Sequence, residues 1–244
     1  VLASALFVAS AAFGKATETF SKTYPLAAGG TVSLNNMNGD VEVSTWDRDE
    51  VAIEAVKSAR DDEALQRIEI IVEADENSVR IKTKHAKSRF SFWKQNNSAS
   101  VRYTLRVPAA LGRLKIEVMN SDVTTENIRG EVKVATMNGR INATGLTGSA
   151  ILDTMNGAIL ASFEKLGAGQ KVNLDTMNGS CTLDLPADAS AHVVASTMNG
   201  RVRSDVPVKI EKSTRRSTRG TIGAGEAAVK LDSMNGSLTL RSRS

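Results

Sequence analysis

The chain has 244 residues, 41% apolar and 24% charged, with a net charge of +4 and a pI near 9.2. That is room for one repeat domain with accessories or two small domains, and the mild basicity favours anionic partners. One cysteine excludes an internal disulfide framework, and 4% aromatics fit a thin interior with little room for large rings.

The opening run Val1–Gly14 is apolar and small, too short to span a bilayer, and reads as the hydrophobic region of a secretory signal. Ala9-Ser10-Ala11 and Gly14-Lys15-Ala16 are cleavage candidates. The usual basic start and initiator methionine are missing, so the chain reads as truncated, with residues 1–16 a signal-peptide remnant. A buried apolar strand or helix is the alternative. No cysteine near these sites supports a lipid anchor, and no later stretch is apolar and long enough to cross a membrane.

Residues 17–112 read as a polar lead-in, a first coil at 31–45 and a capping β-rich excursion. The excursion carries a strand at 51–56, then a short helix from Asp61-Asp62-Glu63 to about Arg67, whose acidic start suits the helix dipole. Strands at 69–73 and 78–84 flank a turn at 74–77, and a strand at 101–107 stops at Pro108. Repeats fill 113–244.

The repeat is Met-Asn-Gly, at Met37, Met137, Met155, Met177, Met198 and Met234, with Met119-Asn120-Ser121 as a near-copy. Every methionine in the chain sits in this triplet. Intervals from Met119 are 18, 18, 22, 21 and 36 residues, a period that marks a repeat architecture. Five and three residues before Met stand apolar side chains such as Val132 and Val134. Four and six after it stand such pairs as Ile141 and Ala143. Each copy is thus two short strands of period-2 alternation around a corner at which the inward parity changes. Continuing the incoming parity places Asn inward and Met outward there, with Asn38, Asn138, Asn156, Asn178, Asn199 and Asn235 as the structural corner. The fold class is all-β, a single-stranded parallel β-solenoid of about 18–22 residues per coil, with the N-terminal excursion and one short helix. Residues 208–219 fall where a coil is due and read as a degenerate coil or an extruded loop. The last coil, Val229–Leu240, is expected to end the stack uncapped.

Trp46-Asp47-Arg48-Asp49-Glu50-Val51, Tyr103-Thr104-Leu105-Arg106-Val107-Pro108, the Asn-Gly coils and Gly220-Thr221-Ile222-Gly223-Ala224-Gly225 together resemble a bacterial family. It is the family of exported proteins labelled candidate adhesins, a domain of unknown function with a β-solenoid fold. The likeness covers residues 30–242 and implies that fold and an envelope compartment. It brings no catalytic residues. This chain departs from it in placing Met so uniformly before Asn-Gly.

Several constellations could carry chemistry. Asp153 and Asp175, two before Met in consecutive coils, would lie about one strand spacing of 5 Å apart, as a carboxylate pair in a carbohydrate-active enzyme or as a solvated polar row. The methionine row offers soft ligands to a metal such as Cu(I), an oxidisable surface, or simply filler at a corner. Cys181 takes a slot filled elsewhere by Ile, Val or Leu and reads as buried. Arg80, Lys82, Lys84, Lys87, Arg89, Trp93 and Lys94 form a basic, aromatic-bearing run; Arg215, Arg216 and Arg219 belong to a second basic run. Such runs bind polyanions, or are solvated loops. The glycine string lacks the strand–loop–helix order of dinucleotide binding, and neither His85 nor His192 has spaced metal ligands.

The expectation is an exported, non-enzymatic β-solenoid, adhesin-like or envelope-stress-related, without cofactor or metal. Its location is periplasmic or cell-surface. Its partners are an envelope polymer, an anionic membrane surface or a protein, with self-association through the solenoid ends possible and nucleic acid excluded by export.

Overall fold

The computed structural model describes residues 15–86 and 99–243. The first strands are β1 (Ala16–Pro25), β2 (Thr31–Asn38), β3 (Val41–Trp46) and β4 (Glu50–Ala59). Helix α1 (Asp62–Gln66) follows, capped by the Asp61 carboxylate, which accepts from the Ala64 N–H at 2.8 Å. Then come β5 (Ile68–Ala74), β6 (Ser78–His85), β7 (Ser100–Pro108), β8 (Arg113–Asn120), β9 (Val123–Glu126), β10 (Glu131–Asn138) and β11 (Ile141–Leu146). The chain continues through β12 (Ala150–Asn156), β13 (Ile159–Phe163), β14 (Lys171–Asn178), β15 (Cys181–Leu185), β16 (Ala191–Asn199) and β17 (Val202–Ser204). It closes with β18 (Lys209–Ser213), β19 (Ser217–Ile222), β20 (Ala227–Asn235) and β21 (Leu238–Ser242).

The fold is all-β, in two long mixed sheets. One has ten strands in the order β1-β4-β7-β3-β9-β11-β13-β15-β21-β17. The other has eleven, β5-β6-β2-β8-β10-β12-β14-β20-β16-β19-β18. Each Met-Asn corner joins a strand of the second sheet to one of the first. Between neighbouring coils the pairing is parallel and residue for residue: Leu114, Val132, Ala150, Val172, Val229 and Val193 stand in one row. That row is at most 2% exposed throughout, so the coils share one continuous thin core.

Purely parallel pairing is confined to the interior. Antiparallel strands close both ends and make each sheet mixed: β5 lies on β6, β4 on β7, β1 on β4, β19 on β16 and β18 on β19. Residues 17–25, expected as a lead-in, are most of β1, an edge strand of alternating half-buried and exposed residues. The stretch 208–219 is neither coil nor loop, because its β18–β19 hairpin covers the stack end. The excursion itself supplies a coil. Strands β6 and β7 run parallel to β2 and β3, with Ile81 opposite Leu34 and Tyr103 opposite Val41. The stack order is therefore β6/β7, β2/β3, β8/β9, β10/β11, β12/β13, β14/β15, β20/β21, β16/β17. The last coil in chain order, expected to be terminal and uncapped, is inserted one place inward.

The corner itself is made by backbone proximity. A Cβ on Gly157 would overlap the carbonyl oxygen of Gly139, one on Gly179 that of Gly157, and one on Gly236 that of Gly179. Just before Met, in the five coils from β10 onward, a small hydroxyl points inward. Thr154 donates to Gly139 O at 3.1 Å, Thr176 to Gly157 O at 3.0 Å, Ser233 to Gly179 O at 3.0 Å and Thr197 to Gly236 O at 2.9 Å. The carbonyl that forbids a side chain is thus also the acceptor that satisfies the next coil's buried hydroxyl.

Gly179→Ala is expected to destabilise the fold by about 1–3 kcal/mol through overpacking. Thr176→Val, similar in shape, is expected to cost about 1–3 kcal/mol by orphaning a buried carbonyl. Urea denaturation of the two variants beside the parent checks both.

Candidate functional site

Strand β6 presents Arg80, Lys82 and Lys84 outward, because the intervening Val79, Ile81 and Thr83 are buried. With β5, β2 and β8 they line a groove of about 580 Å³. Register places Arg80 beside Ser33 and then Lys115, and Lys82 beside Asn35 and then Glu117. Arg113 and Lys115 enter the same groove, which sequence reading did not anticipate. They lie on a repeat strand, and only the parallel pairing carries them next to β6. Both are matched by acids: Arg113 to Glu131 at 2.8 and 3.0 Å, Lys115 to Glu117 at 2.8 Å. Arg80, Lys82 and Lys84 form no close ion pair with another described residue, although β5 sets Glu73 opposite Arg80 and Glu69 opposite Lys84. The groove lining holds Arg80, Lys82, Lys84, Arg113 and Lys115 against Glu73 and Glu117, an excess of positive charge.

Lys87, Arg89, Trp93 and Lys94 lie outside the described residues. Arg215, Arg216 and Arg219 are exposed on the β18–β19 hairpin. Eight strand steps separate β6 from β19, about 38 Å at ordinary strand spacing. The two basic runs therefore do not form one patch. The Trp46 and Tyr103 motifs do meet: Trp46 pairs with Pro108, and Arg48 and Arg106 stand 4.9 and 5.6 Å from its ring centre.

The corner asparagines form one ladder. Asn120 Nδ2 donates to Asn38 Oδ1, Asn138 to Asn120, Asn156 to Asn138, Asn178 to Asn156 and Asn235 to Asn178, each at 2.8 Å. Asn199 donates to Asn235 at 2.9 Å. The ladder runs along the outside of the stack, against the expected inward placement. Thr or Ser takes the last inward position in five coils, and Asn36 and Val118 take it in the other two, so Met and the Asn after it both fall outside as the chain turns. Among the described residues, seven of the nine exposed large apolar side chains are these methionines.

Two residues before Met, Asp153, Asp175 and Asp232 stand side by side in consecutive coils. Lys230 pairs with Asp232 at 2.6 Å. Burial, and next the Asp175 carboxylate, raise the pKa of Asp153, while Lys133 tempers the rise. No histidine or aromatic residue shares this row. Cys181 is fully buried, and burial first, then Asp175 and Asp232, push its thiol up to about 12. Burial lowers the pKa of His85, and His192 faces Glu211 at 3.9 Å. Among the described residues no group of three His, Cys, Asp or Glu side chains converges as a metal site.

The raised pKa of Asp153 has a defined sign in stability. The fold favours the protonated form, so its contribution is present below the unfolded pKa and is lost as pH rises through the folded one. Asp153→Asn is expected to raise the unfolding midpoint at pH 7, with the gain vanishing at pH 3; thermal unfolding at both pH values checks this.

Among the described residues, no helix is long and apolar enough to cross a membrane. No curated protein matches the chain. A candidate cell adhesion protein from Clostridium sporogenes is 12% identical, with a TM-score of 0.55 over 91% of this chain and 99% of its own. A candidate adhesin from Bacteroides fragilis is 12% identical with a TM-score of 0.42, covering 92% and 97%. A candidate lipid binding protein from Parabacteroides distasonis is 10% identical with a TM-score of 0.33, covering 93% and 97%. The first likeness reports the fold. The family model described as Toastrack DUF4097 matches residues 22–241, nearly the whole chain, and the protein belongs to that family.

Proposed function

We propose that the protein is an exported, non-enzymatic, single-stranded β-solenoid that binds a phosphate-bearing anionic surface of the cell envelope. The observation that carries this reading is the outward trio Arg80, Lys82 and Lys84, which lines a groove whose cations outnumber its carboxylates, Glu73 and Glu117. Three cations at alternate positions of one strand lie about 6.8 Å apart, a spacing that suits a repeating polyanion or a charged lipid surface better than one small anion. The adhesion named for the Clostridium structure agrees with a binding rather than a catalytic role. The apolar leader Val1–Gly14 supports export to the periplasm or cell surface. A non-enzymatic role is supported by the aspartate row, which has no positioned histidine or aromatic beside it.

Binding to phosphatidylglycerol-containing vesicles, at low and high salt, tests the reading. The parent chain is expected to bind and to weaken with salt. R80Q/K82Q/K84Q is expected to lose about 3 kcal/mol, roughly 100-fold, at about 1 kcal/mol per basic residue. R215Q/R216Q/R219Q, at the other end, is expected to lose less. Equal binding by parent and R80Q/K82Q/K84Q, or no binding by the parent, would overturn the assignment.

A further inference from the structure

The methionine edge is independent of the basic groove and carries a chemistry of its own. Along the stack the order is Met37, Met119, Met137, Met155, Met177, Met234 and Met198, fixed by the asparagine pairs beside them. Their exposures run from 36% to 59%, so none is core filler. Apolarity alone does not explain them either. The apolar slots that flank the triplet exchange Val, Leu, Ile, Ala, Cys, Thr and Ser from coil to coil, yet all seven copies of this slot hold a thioether, as constant as the Asn that follows it and makes the ladder. What the slot retains is sulfur. The neighbouring amides are engaged with one another through the asparagine ladder, which leaves the sulfurs as the soft donors of this edge.

Spacing and charge both suit a soft monovalent cation. Stacked strands lie about 4.8 Å apart. Two metal–sulfur bonds of about 2.3 Å span nearly that distance, and the flexible methionine side chain absorbs the remainder. The carboxylates of Asp153 and Asp175 stand on the same strands two residues before Met155 and Met177, on the same face of the pleat. Glu117 and Asp232 are each neutralised by a lysine, at 2.8 and 2.6 Å, whereas Asp153 and Asp175 form no ion pair with another described residue. Neutral thioethers beside two carboxylates that no lysine engages in a close ion pair describe a site for Cu(I) rather than for a hard divalent ion.

We propose that the methionine edge binds Cu(I), most tightly between Met155 and Met177, with Asp153 and Asp175 holding the cation electrostatically.

Ag(I), a redox-stable ion of the same class, serves as the probe, read by NMR of methionine methyl groups labelled with carbon-13 in the full chain. The Met155 and Met177 methyls are expected to shift first. M155L/M177L is expected to weaken the tightest site about tenfold or more, and D153N/D175N about tenfold, as loss of outer partners does at metal sites. M37L/M198L, which removes the same number of thioethers from the two ends, is expected to leave that site unchanged. Far-ultraviolet circular dichroism confirms folding of each variant, and anaerobic titration with Cu(I) is expected to give the same order of shifts. Absence of methyl shifts, equal loss in M155L/M177L and M37L/M198L, or identical shifts with Ca²⁺ would each overturn the proposal.

Discussion

At six of its seven corners the chain turns on a glycine, and from Gly139 onward neighbouring coils bring their backbones into direct contact there; Ser121 alone carries a side chain in that slot. These glycines approach so closely that a single methyl group would overlap the carbonyl of the coil beside it. Everything else on that edge follows from this contact. It locks register, because a slip of one residue would bring a side chain against that carbonyl. It supplies the acceptor for the inward Thr or Ser hydroxyls. With register fixed, equivalent residues align into rows, and each row takes on a property no single residue has. The asparagines become a hydrogen-bonded ladder, the aspartates a row of neighbouring carboxylates, and the methionines an exposed ridge.

The rows were legible in the sequence because a repeat is read by superposition. Once the seven triplets are aligned, the buried slots, the aspartate positions and the methionine edge appear without coordinates. The corner's inward residue was misassigned for a physical reason: period-2 extrapolation fails where the chain turns, and the small hydroxyl of Thr154 or Thr176, not the amide of Asn156 or Asn178, faces the core. The order of coils was not legible at all. Every coil offers the same apolar slots to its neighbours, so nothing local separates β20 next to β14 from β20 beyond β16. Strand β1 escaped notice because it runs at a sheet edge, with no face buried enough to impose an apolar alternation.

The candidate site was half visible for a similar reason. Arg80, Lys82 and Lys84 announce themselves as a local run on one strand. Arg113 and Lys115 come from thirty residues downstream and join them only through the parallel pairing of β6, β2 and β8. The same pairing distance sends Arg215, Arg216 and Arg219 to the far end. Charge clusters read from a sequence are thus reliable within a strand, and across strands only once the stack order is known.

That stack order also changes what it means for this repeat array to come apart. In a simple solenoid the outermost coil in space is also the last in the chain, and it frays by breaking one interface. Here the coil β20/β21 is gripped on both sides, by β14/β15 and by β16/β17, and the coil β2/β3 is gripped likewise by β8/β9 and β6/β7. Neither can peel away without opening two interfaces at once. During synthesis, β16 and β17 emerge before the strands that will lie beneath them, and must wait for β20 and β21 or be displaced by them. The array behaves less like a stack of plates than like a buckled strap, its two ends tucked back under a loop made from its own length.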